Sequence, residues 1–381
     1  MKFNFHVSPN LKGSQSTQDI MWWLTGALAI VFVAACIQYF VNWGTDYVIH
    51  IVLMMVSSVL TALICESIFA KIYKKNIKEY LLSSFGWITA MILTLMVPVT
   101  MTVYAVVIAT IFCIVFGKLL FGGFGHNIFN PAAVGRAVIF ASFAGVSCDL
   151  VTGATPTTVL ANTYHWLPAS VEALDAFLSE YSGFANLAIG TYAGAIGETF
   201  SILIIVLGII LAVKKVIDWR VPTVYLGSIF VFTAVIALLS GLPSYHGIPA
   251  FLWYPSLHLL TGGVIFGAVF MLTDPVTSPT SAAGRTWFAI GAAILTVLIR
   301  TKANLPEGCL YSILLMNMFT PMIESALDGK QLEVKKKGQI GFACLVIVGL
   351  AVSIFAATSI EPVTTVNQTA MIETVEMEDT L

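Results

Sequence analysis

The sequence has few charged residues for its length. Of 381 residues, 18 are Lys or Arg and 20 are Asp or Glu, so charged side chains make up 10% of the chain. A soluble domain carries about 25%, and this sequence has too few charges to cover a water-soluble surface. The near balance of basic and acidic residues also leaves no basic stripe of the kind that binds nucleic acid. These shortages exclude a cytosolic enzyme, an intrinsically disordered chain and a nucleic-acid binder.

Paired cysteines and a signal peptide are also missing. The six cysteines are scattered, with no Cys-x-x-Cys pair. Five of them lie in apolar runs, where cysteine is usually a small buried side chain, so we expect no metal site. Residues 1–20 contain no apolar h-region. We therefore expect no cleaved signal peptide, and the first apolar segment should itself direct membrane insertion.

Apolar residues are abundant and fall in long continuous segments. Hydrophobic residues make up 58% of the chain, and many segments approach the roughly 20 residues that cross a bilayer core. Because the segments are continuously apolar rather than alternating, helices are expected instead of a barrel. The sequence predicts an all-α polytopic membrane protein with ten to eleven transmembrane helices. The eleven candidate spans are 20–41, 47–69, 81–98, 101–122, 131–147, 185–213, 220–241, 256–272, 286–300, 309–325 and 339–357.

The distribution of Lys and Arg predicts the orientation. Basic clusters follow spans two, six and ten, whereas 138–213 contains no Lys or Arg. By the positive-inside rule the clusters are cytoplasmic and the loop at 149–183 is extracytoplasmic. Arg300 and Lys302 are exceptions in a predicted outside loop. The expected divisions are a cytoplasmic segment 1–19, a five-helix repeat 20–148, the loop 149–183, a second five-helix repeat 184–327, and a cytoplasmic loop, extra helix and acidic tail 328–381.

Two similar motifs predict the internal repeat. Asn-Ile-Phe-Asn-Pro stands at 127–131 and Asn-Met-Phe-Thr-Pro at 317–321, and each has Pro-Val-Thr upstream, at 98–100 and 275–277. Two units of five spans have opposite orientations because five is odd. Inverted repeats of this kind form sites where broken helices meet at the membrane midplane. We therefore expect broken helices at both motifs.

The outside loop begins with a small-residue string that contains two hydroxyls. Asp149 precedes Thr152, Gly153, Ala154 and Thr155. Gly-Ala between two threonines gives an open backbone, so the hydroxyl of Thr155 should be accessible, and the neighbouring carboxylate suits a metal or the positioning of a phosphate. The alternative is an ordinary turn that leaves the membrane.

This string resembles the flavinylation motif of membrane flavoproteins, Asp-x-x-[Ser/Thr]-Gly-Ala-Thr, in which a transferase joins FMN through its phosphate to the last threonine. Three further strings occur in order: GHNIFNPAAVGRA at 125–137, LTDPVTSP at 272–279, and Glu-Gly to Met-Phe-Thr-Pro at 307–321. Together the four resemble the RnfD family of membrane proteins from the Rnf electron-transport complex, and the related NqrB family from the sodium-pumping NADH:quinone reductase. The resemblance covers about residues 5–330, and the last helix and tail look like an extension.

The resemblance implies a function and a cofactor. Thr155 would carry FMN as a phosphothreonine ester, with Asp149, Thr152, Gly153 and Ala154 completing the attachment motif. The chain would then be an inner-membrane component of a ferredoxin:NAD⁺ oxidoreductase that couples electron flow to Na⁺ or H⁺ transport. It has no dinucleotide fingerprint and no iron–sulfur cysteine set, so other membrane, flavin and iron–sulfur subunits and a flavin transferase are the expected partners.

Polar residues inside the spans are further candidates, because charge within a membrane is costly. Asn127, Asn130 and Arg136 are expected to contact a second, non-covalent flavin such as riboflavin, or a quinone-like group, at the interface of the repeats. The alternative is that Arg136 pairs with a carboxylate or carbonyl and locks the bundle. Glu198 and Asp274 are candidates for an ion pathway, although Asp274 also suits a solvated loop.

Two expectations concern packing. The spacing of Gly190, Gly194 and Gly197 suits close approach of helices. Glu66 is expected to extend to the membrane interface beside the following lysines.

Three alternative functions stay open at this point. The first is the NqrB component of the quinone reductase, which has the same redox chemistry. The second is a solute channel or transporter, which suits an inverted repeat. The third is a scaffold protein for the partner subunits that carries no cofactor of its own. Thr155 discriminates between the redox functions and the other two, because neither a channel nor a scaffold needs Thr-Gly-Ala-Thr in an outside loop.

Overall fold

The structure is a computed structural model that describes residues 16–143, 145–303, 308–360 and 363. Within these ranges the chain is helical and forms no β-strand. Five helices are long and apolar enough to cross a membrane, or six if one bent pair is counted as a single span. The chain is therefore a multi-pass membrane protein, and the count of ten to eleven spans stays a prediction. Most of the predicted segment 1–19, the motif residue Glu307 and most of the acidic tail lie outside the described residues.

Sixteen helices are described. In chain order they are α1 (Thr17–Trp43), α2 (Thr45–Ile72), α3 (Ile77–Ser84), α4 (Gly86–Leu95), α5 (Val103–Leu119), α6 (Pro131–Ser142), α7 (Pro156–Asn162), α8 (Val171–Glu180), α9 (Gly183–Ile189), α10 (Ser201–Val213), α11 (Arg220–Leu239), α12 (Ala250–Leu260), α13 (Val264–Met271), α14 (Ala282–Lys302), α15 (Gly308–Ala326) and α16 (Gln331–Ser359).

Local sequence explains where several helices begin. Ser16 and Asp19 form a reciprocal capping box at the start of α1, which satisfies backbone N–H groups that have no partner in the first turn. Asn130 caps α6 through its side-chain oxygen, and Pro131 occupies the first helical position, where its missing N–H costs nothing. The motif at 127–131 therefore opens α6, as the sequence predicts.

Three predicted spans are interrupted. The segment 81–98 contains the end of α3 and the whole of α4, which are divided at Phe85 (φ +54°). The segment 185–213 consists of α9, a non-helical stretch at 190–200, and α10. Gly190 has φ of +92°, and a Cβ there would collide with the carbonyl of Thr199. The interpretation of the glycines as helix-packing residues is therefore wrong, because they end one helix and form the following break. The segment 256–272 is also interrupted: α12 and α13 meet at an angle of 73°.

A backbone pairing joins the two halves of the chain. Residues 96–102, between α4 and α5, are non-helical, and they face the break at 190–200. Ile196 N donates to Val97 O (3.0 Å), and Gly197 N donates to Leu95 O (2.7 Å). Inside a bilayer each peptide group outside a helix needs such a partner.

The motif at 317–321 is not a break. Helix α15 runs without interruption from Gly308 to Ala326, with Pro321 inside it. The prediction of a broken helix at this motif is wrong. The sequence signal was the similarity of two proline-containing motifs, but a membrane helix tolerates proline where neighbouring groups satisfy the freed carbonyl. The inverted repeat stays a prediction.

The bundle has two distinct ends. We call the end with the clusters at 71–78, 214–220 and 330–337 the basic end. One cavity at this end is lined by Ser84, at the end of the helix that follows the first cluster, and by Val216 of the second cluster. We call the other the loop end, where residues 145–200 lie against the helices. Tyr47 Oη donates there to Val151 O (2.8 Å), and Cys148 N donates to Thr100 O (2.6 Å).

Helix α16 lies outside both predicted repeats and packs on α11 and α14. Gly349 faces Phe232 and Gly341 faces Trp287, each so closely that a Cβ would collide with the ring. Trp287 Nε1 donates to Gly338 O (3.0 Å). The extra helix is therefore fitted to this bundle through glycines.

Candidate functional site

Thr155 lies at the start of helix α7 at the loop end. It has extended backbone angles and is partly exposed, and its Oγ1 accepts a hydrogen bond from Thr158 N (3.3 Å). The same oxygen lies 2.8 Å from Thr158 Oγ1 and 3.1 Å from Thr157 Oγ1. Because Pro156 follows in the first helical position, Thr155 is held at the boundary between loop and helix. Its hydroxyl is held by these contacts, and the residue as a whole is partly exposed.

Two tyrosines hold the backbone of the attachment motif. Tyr47 bonds Val151 O, and Tyr181 Oη donates to Ala154 O (3.0 Å). Burial, with the negative charge of Glu180 nearby, raises the pKa of Tyr181 far above the ordinary phenol value, so its hydroxyl remains a donor. Both tyrosines bind backbone carbonyls, so these two contacts do not involve the side chains of the motif.

The remaining residues of the motif face outward. Asp149 and Gly153 are exposed, and Thr152 is partly exposed. A Cβ at Gly153 would meet nothing within 4 Å. An external enzyme therefore has open space on this side of the string.

Asn127 and Asn130 line a cavity at the basic end. The cavity has a volume of about 90 Å³, and Lys118, Thr273 and Asp274 also line it. That volume holds several water molecules. The structure thus brings three of the predicted site residues, Asn127, Asn130 and Asp274, to one place.

Asn130 also joins the two halves of the chain. Its backbone N donates to Asn317 Oδ1 (3.0 Å), and its Nδ2 donates to Met271 O (3.3 Å). Asn317 in turn donates from Nδ2 to Thr277 O (3.4 Å). The two motif asparagines at 130 and 317 are therefore direct neighbours, although only one of them opens a helix.

Arg136 lies apart from this cavity, in a buried pair with Glu198. Its Nη1 is 3.8 Å from Glu198 Oε1, and the two side chains are 5% and 7% exposed. The guanidinium also lies 5.1 Å from the ring centre of Phe140. A Cβ at Gly263 would come within 2.6 Å of the Glu198 carboxylate, so this glycine leaves room for the pair. The geometry corresponds to the alternative in which Arg136 pairs with a carboxylate.

Asp274 follows α13 and organises the next turn. Its Oδ1 accepts from Val276 N (3.1 Å), and its Oδ2 accepts from Thr277 Oγ1 (3.2 Å). The side chain is partly exposed and lines the cavity at the basic end. Asp274 therefore lies at the end of a helix with backbone and hydroxyl partners, and not in the freely solvated loop that the sequence also suited.

A second buried charge pair was missed in the sequence. Lys118 Nζ donates to Glu66 Oε1 (2.8 Å) and to Ser84 O, and the Lys118 and Glu66 side chains are 3% and 0% exposed. Glu66 therefore does not extend to the membrane interface, and that prediction is wrong. The two opposite charges inside the apolar segments 47–69 and 101–122 were visible in the sequence, but their proximity depends on the packing of α2 against α5.

Comparison with known proteins shows which family the chain resembles. The family described as NQR2, RnfD, RnfE matches residues 4–333. The chain belongs to this family. The residue match ends at the beginning of α16, so almost all of the extra helix lies beyond the matched region.

Individual members of the NQR2, RnfD, RnfE family resemble the chain along most of its length. It is 34% identical to the D subunit of a Na⁺-translocating ferredoxin:NAD⁺ oxidoreductase complex of Acetobacterium woodii, over 83% of this chain and 91% of the relative. It is 32% identical to the D subunit of a proton-translocating ferredoxin:NAD⁺ oxidoreductase complex of Clostridium ljungdahlii, over 84% and 93%. The resemblance to the RnfD proteins is confirmed. These two relatives name different ions at nearly equal identity.

Proposed function

We propose that this chain is the FMN-carrying membrane component of an ion-translocating ferredoxin:NAD⁺ oxidoreductase, which relays electrons in a complex that transports Na⁺ or H⁺. The named relatives are subunits of such complexes. Other membrane, flavin and iron–sulfur subunits would handle ferredoxin and NAD⁺, and a flavin transferase would load the cofactor. The similar relatives favour this assignment over the NqrB component of the quinone reductase, the alternative within the same chemistry.

The observation that carries the proposal is the position of Thr155. Thr155 is the last residue of Asp-x-x-Thr-Gly-Ala-Thr and is partly exposed, and its Oγ1 is held at the start of α7 by Thr158. An oxygen that forms a phosphoester must be accessible, and Asp149 and Gly153 leave its approach open. A channel or a scaffold gives no reason for this arrangement.

Within this proposal, the protein's own residues orient the attachment point. Tyr47 and Tyr181 fix the backbone on the N-terminal side of Thr155, and α7 fixes it on the other side. Bound FMN would supply one- and two-electron transfer, since a phosphoester leaves the ring unmodified, and the protein would tune its potential by position and hydrogen bonding. A loop on the extracytoplasmic side of the inner membrane is part of the proposal.

The test is flavin fluorescence of the denatured chain in a gel, after expression with its flavin transferase. Thr155→Ala is expected to abolish the fluorescence, and peptide mass mapping should place the flavin on Thr155 in the wild type. Thr163→Ala is the matched control, because it removes a threonine hydroxyl at the other end of α7, outside the motif, and should keep the flavin. Covalent flavin in Thr155→Ala contradicts the assignment.

We also propose that a second, non-covalent flavin binds at the basic end. Asn127 and Asn130 line the cavity there, and Arg136 lies on α6 one helical turn beyond Pro131. In this part of the proposal Arg136 acts together with Glu198, its ion-pair partner. Asp274 at the cavity and Glu198 at the break remain the candidates for an ion pathway.

A further inference from the structure

Trp166 anchors the loop that follows α7 to the second half of the chain. It is fully buried, its ring stacks on His258 (centres 5.1 Å apart), and Tyr254 Oη donates to its carbonyl (2.9 Å). His165 and Trp166 have φ of +47° and +61°, a left-handed conformation that is unfavourable for a residue with a side chain. The surrounding contacts hold this strained backbone in place.

Arg300 binds the same region from α14. Its Nη1 donates to His258 O (2.6 Å) and its Nη2 to Thr261 O (2.9 Å), and its Cζ lies 4.6 Å from the Trp166 ring centre. These carbonyls lie at the end of α12, where the last carbonyls of a helix have no intrahelical partner. The guanidinium therefore fixes the break between α12 and α13 while it contacts the loop after α7.

Gly262 brings this break against the attachment segment. It has φ of +73°, and a Cβ there would lie 2.6 Å from Thr157 Cγ2 and 3.2 Å from Arg300 Nη2. Thr157 is buried and lies two residues after Thr155. The missing side chain thus lets the break, Arg300 and the attachment segment pack directly on one another.

We propose that Arg300 is a positioning residue for Thr155, acting through the break at Thr261–Gly263 and through Trp166. Two contacts converge on α7: the break presses on its first turn, and Trp166 holds its C-terminal end, where Trp166 N donates to Leu160 O (2.8 Å). Together they set how the Thr155 hydroxyl is presented. The inference rests on the proposed attachment of FMN to Thr155.

The test uses Gly262→Ala, Arg300→Lys and a matched glycine control. Gly241→Ala is the control, because Gly241 has a similar φ of +62° but open space at its Cβ. We expect Gly262→Ala and Arg300→Lys to lower covalent flavin per chain severalfold and Gly241→Ala to leave it unchanged. Thr157→Ser removes the methyl that the new Cβ would meet, so it should restore flavin in Gly262→Ala.

A second readout needs no flavin. In a Thr155→Cys background, the labelling rate at position 155 by an impermeant maleimide is followed by peptide mass mapping, so native cysteines do not interfere. Gly262→Ala and Arg300→Lys should change this rate severalfold, and Thr157→Ser should reverse the effect of Gly262→Ala. For each variant, protein is extracted from the membrane in detergent, and the amount that elutes as a single species in gel filtration is compared with wild type.

The outcomes separate this inference from the proposed function. If wild-type protein carries flavin on Thr155 and both variants keep the flavin content and the labelling rate of the control, the positioning role is overturned. A failure of Thr157→Ser to rescue Gly262→Ala, with Arg300→Lys unchanged, also overturns it. If the wild type carries no covalent flavin but the labelling rates still change, the proposed function fails and the packing relation stands.

Discussion

The buried pair of Lys118 and Glu66 gives a stability prediction of definite sign and size. Lys118→Met leaves the Glu66 carboxylate, which is 0% exposed, with Ser84 Oγ as the donor shown beside it (2.5 Å). Removing one partner of a buried pair costs about 3–5 kcal/mol, because the other charge stays desolvated. That is a loss of about two to four powers of ten in the folding equilibrium constant.

The double substitution should behave differently from either single one. Replacing both charges, as in Glu66→Met with Lys118→Met, removes the desolvation cost together with the attraction. For well-packed replacements the net effect is often neutral or stabilising. We therefore expect the double variant to be close to wild type, and both Lys118→Met and Glu66→Met to be far less stable.

The assay is reversible unfolding of the purified protein by a denaturing detergent, followed by tryptophan fluorescence. Lys336→Met is the control, because Lys336 is an exposed lysine at the basic end, where a surface substitution changes stability by about 0.5 kcal/mol or less. Single variants that match Lys336→Met would refute the reasoning. So would a double variant whose loss equals the sum of the two single losses.

Three further predictions use other parts of the chain. Burial raises the pKa of Asp218, but hydrogen bonds from Arg220 N and Arg285 outweigh this effect and leave the pKa below its usual 3.8. Asp218→Asn should therefore lower the unfolding temperature at pH 7, and this difference from wild type should disappear as the pH falls through the folded pKa. A difference that persists below that pKa contradicts the assignment. Glu172→Cys, at an exposed position of α8, should react with an impermeant thiol reagent in intact cells; labelling only in broken membranes inverts the proposed topology. Asn127→Ala, at the cavity, should release less flavin on acid extraction while Thr155 keeps its own, and a wild type that releases none excludes a second flavin.

The sequence predicts apolar helices well, because a membrane span is a local property of about 20 residues. Helices α1, α2 and α11 begin and end within a few residues of their predicted bounds. The breaks were harder to predict, since hydropathy does not distinguish a helix from an apolar stretch that leaves the helix. The segment 190–200 is apolar enough to continue a span, and only the positive φ of Gly190 and the partners at Leu95 and Val97 show why it does not.

In the candidate site, too, features encoded in a short stretch of sequence were predicted and contacts between distant residues were not. Thr155 was predicted from a contiguous string, and its role as the attachment point stays a prediction; the structure shows a partly exposed residue at the start of α7. The partners of Arg136 and Glu66 were not identified, because Glu198 and Lys118 lie 62 and 52 residues away in sequence. Charge pairing across a bundle depends on which helices become neighbours, and composition carries no such information.

The backbone pairing of Leu95 and Val97 with Gly197 and Ile196 affects how the chain is made. Ile196 emerges from the ribosome about 100 residues after Val97, an interval of about 5–20 seconds at ordinary rates of synthesis. During that interval the carbonyls of residues 95 and 97 have no partner from the second half, and a lone peptide carbonyl is poorly tolerated in lipid. The first half of the nascent chain should therefore remain at the insertion machinery, or in contact with water, until the segment after α9 arrives. Nascent chains halted before Gly190 and after Ser201 should accordingly differ in their crosslinking to the insertase.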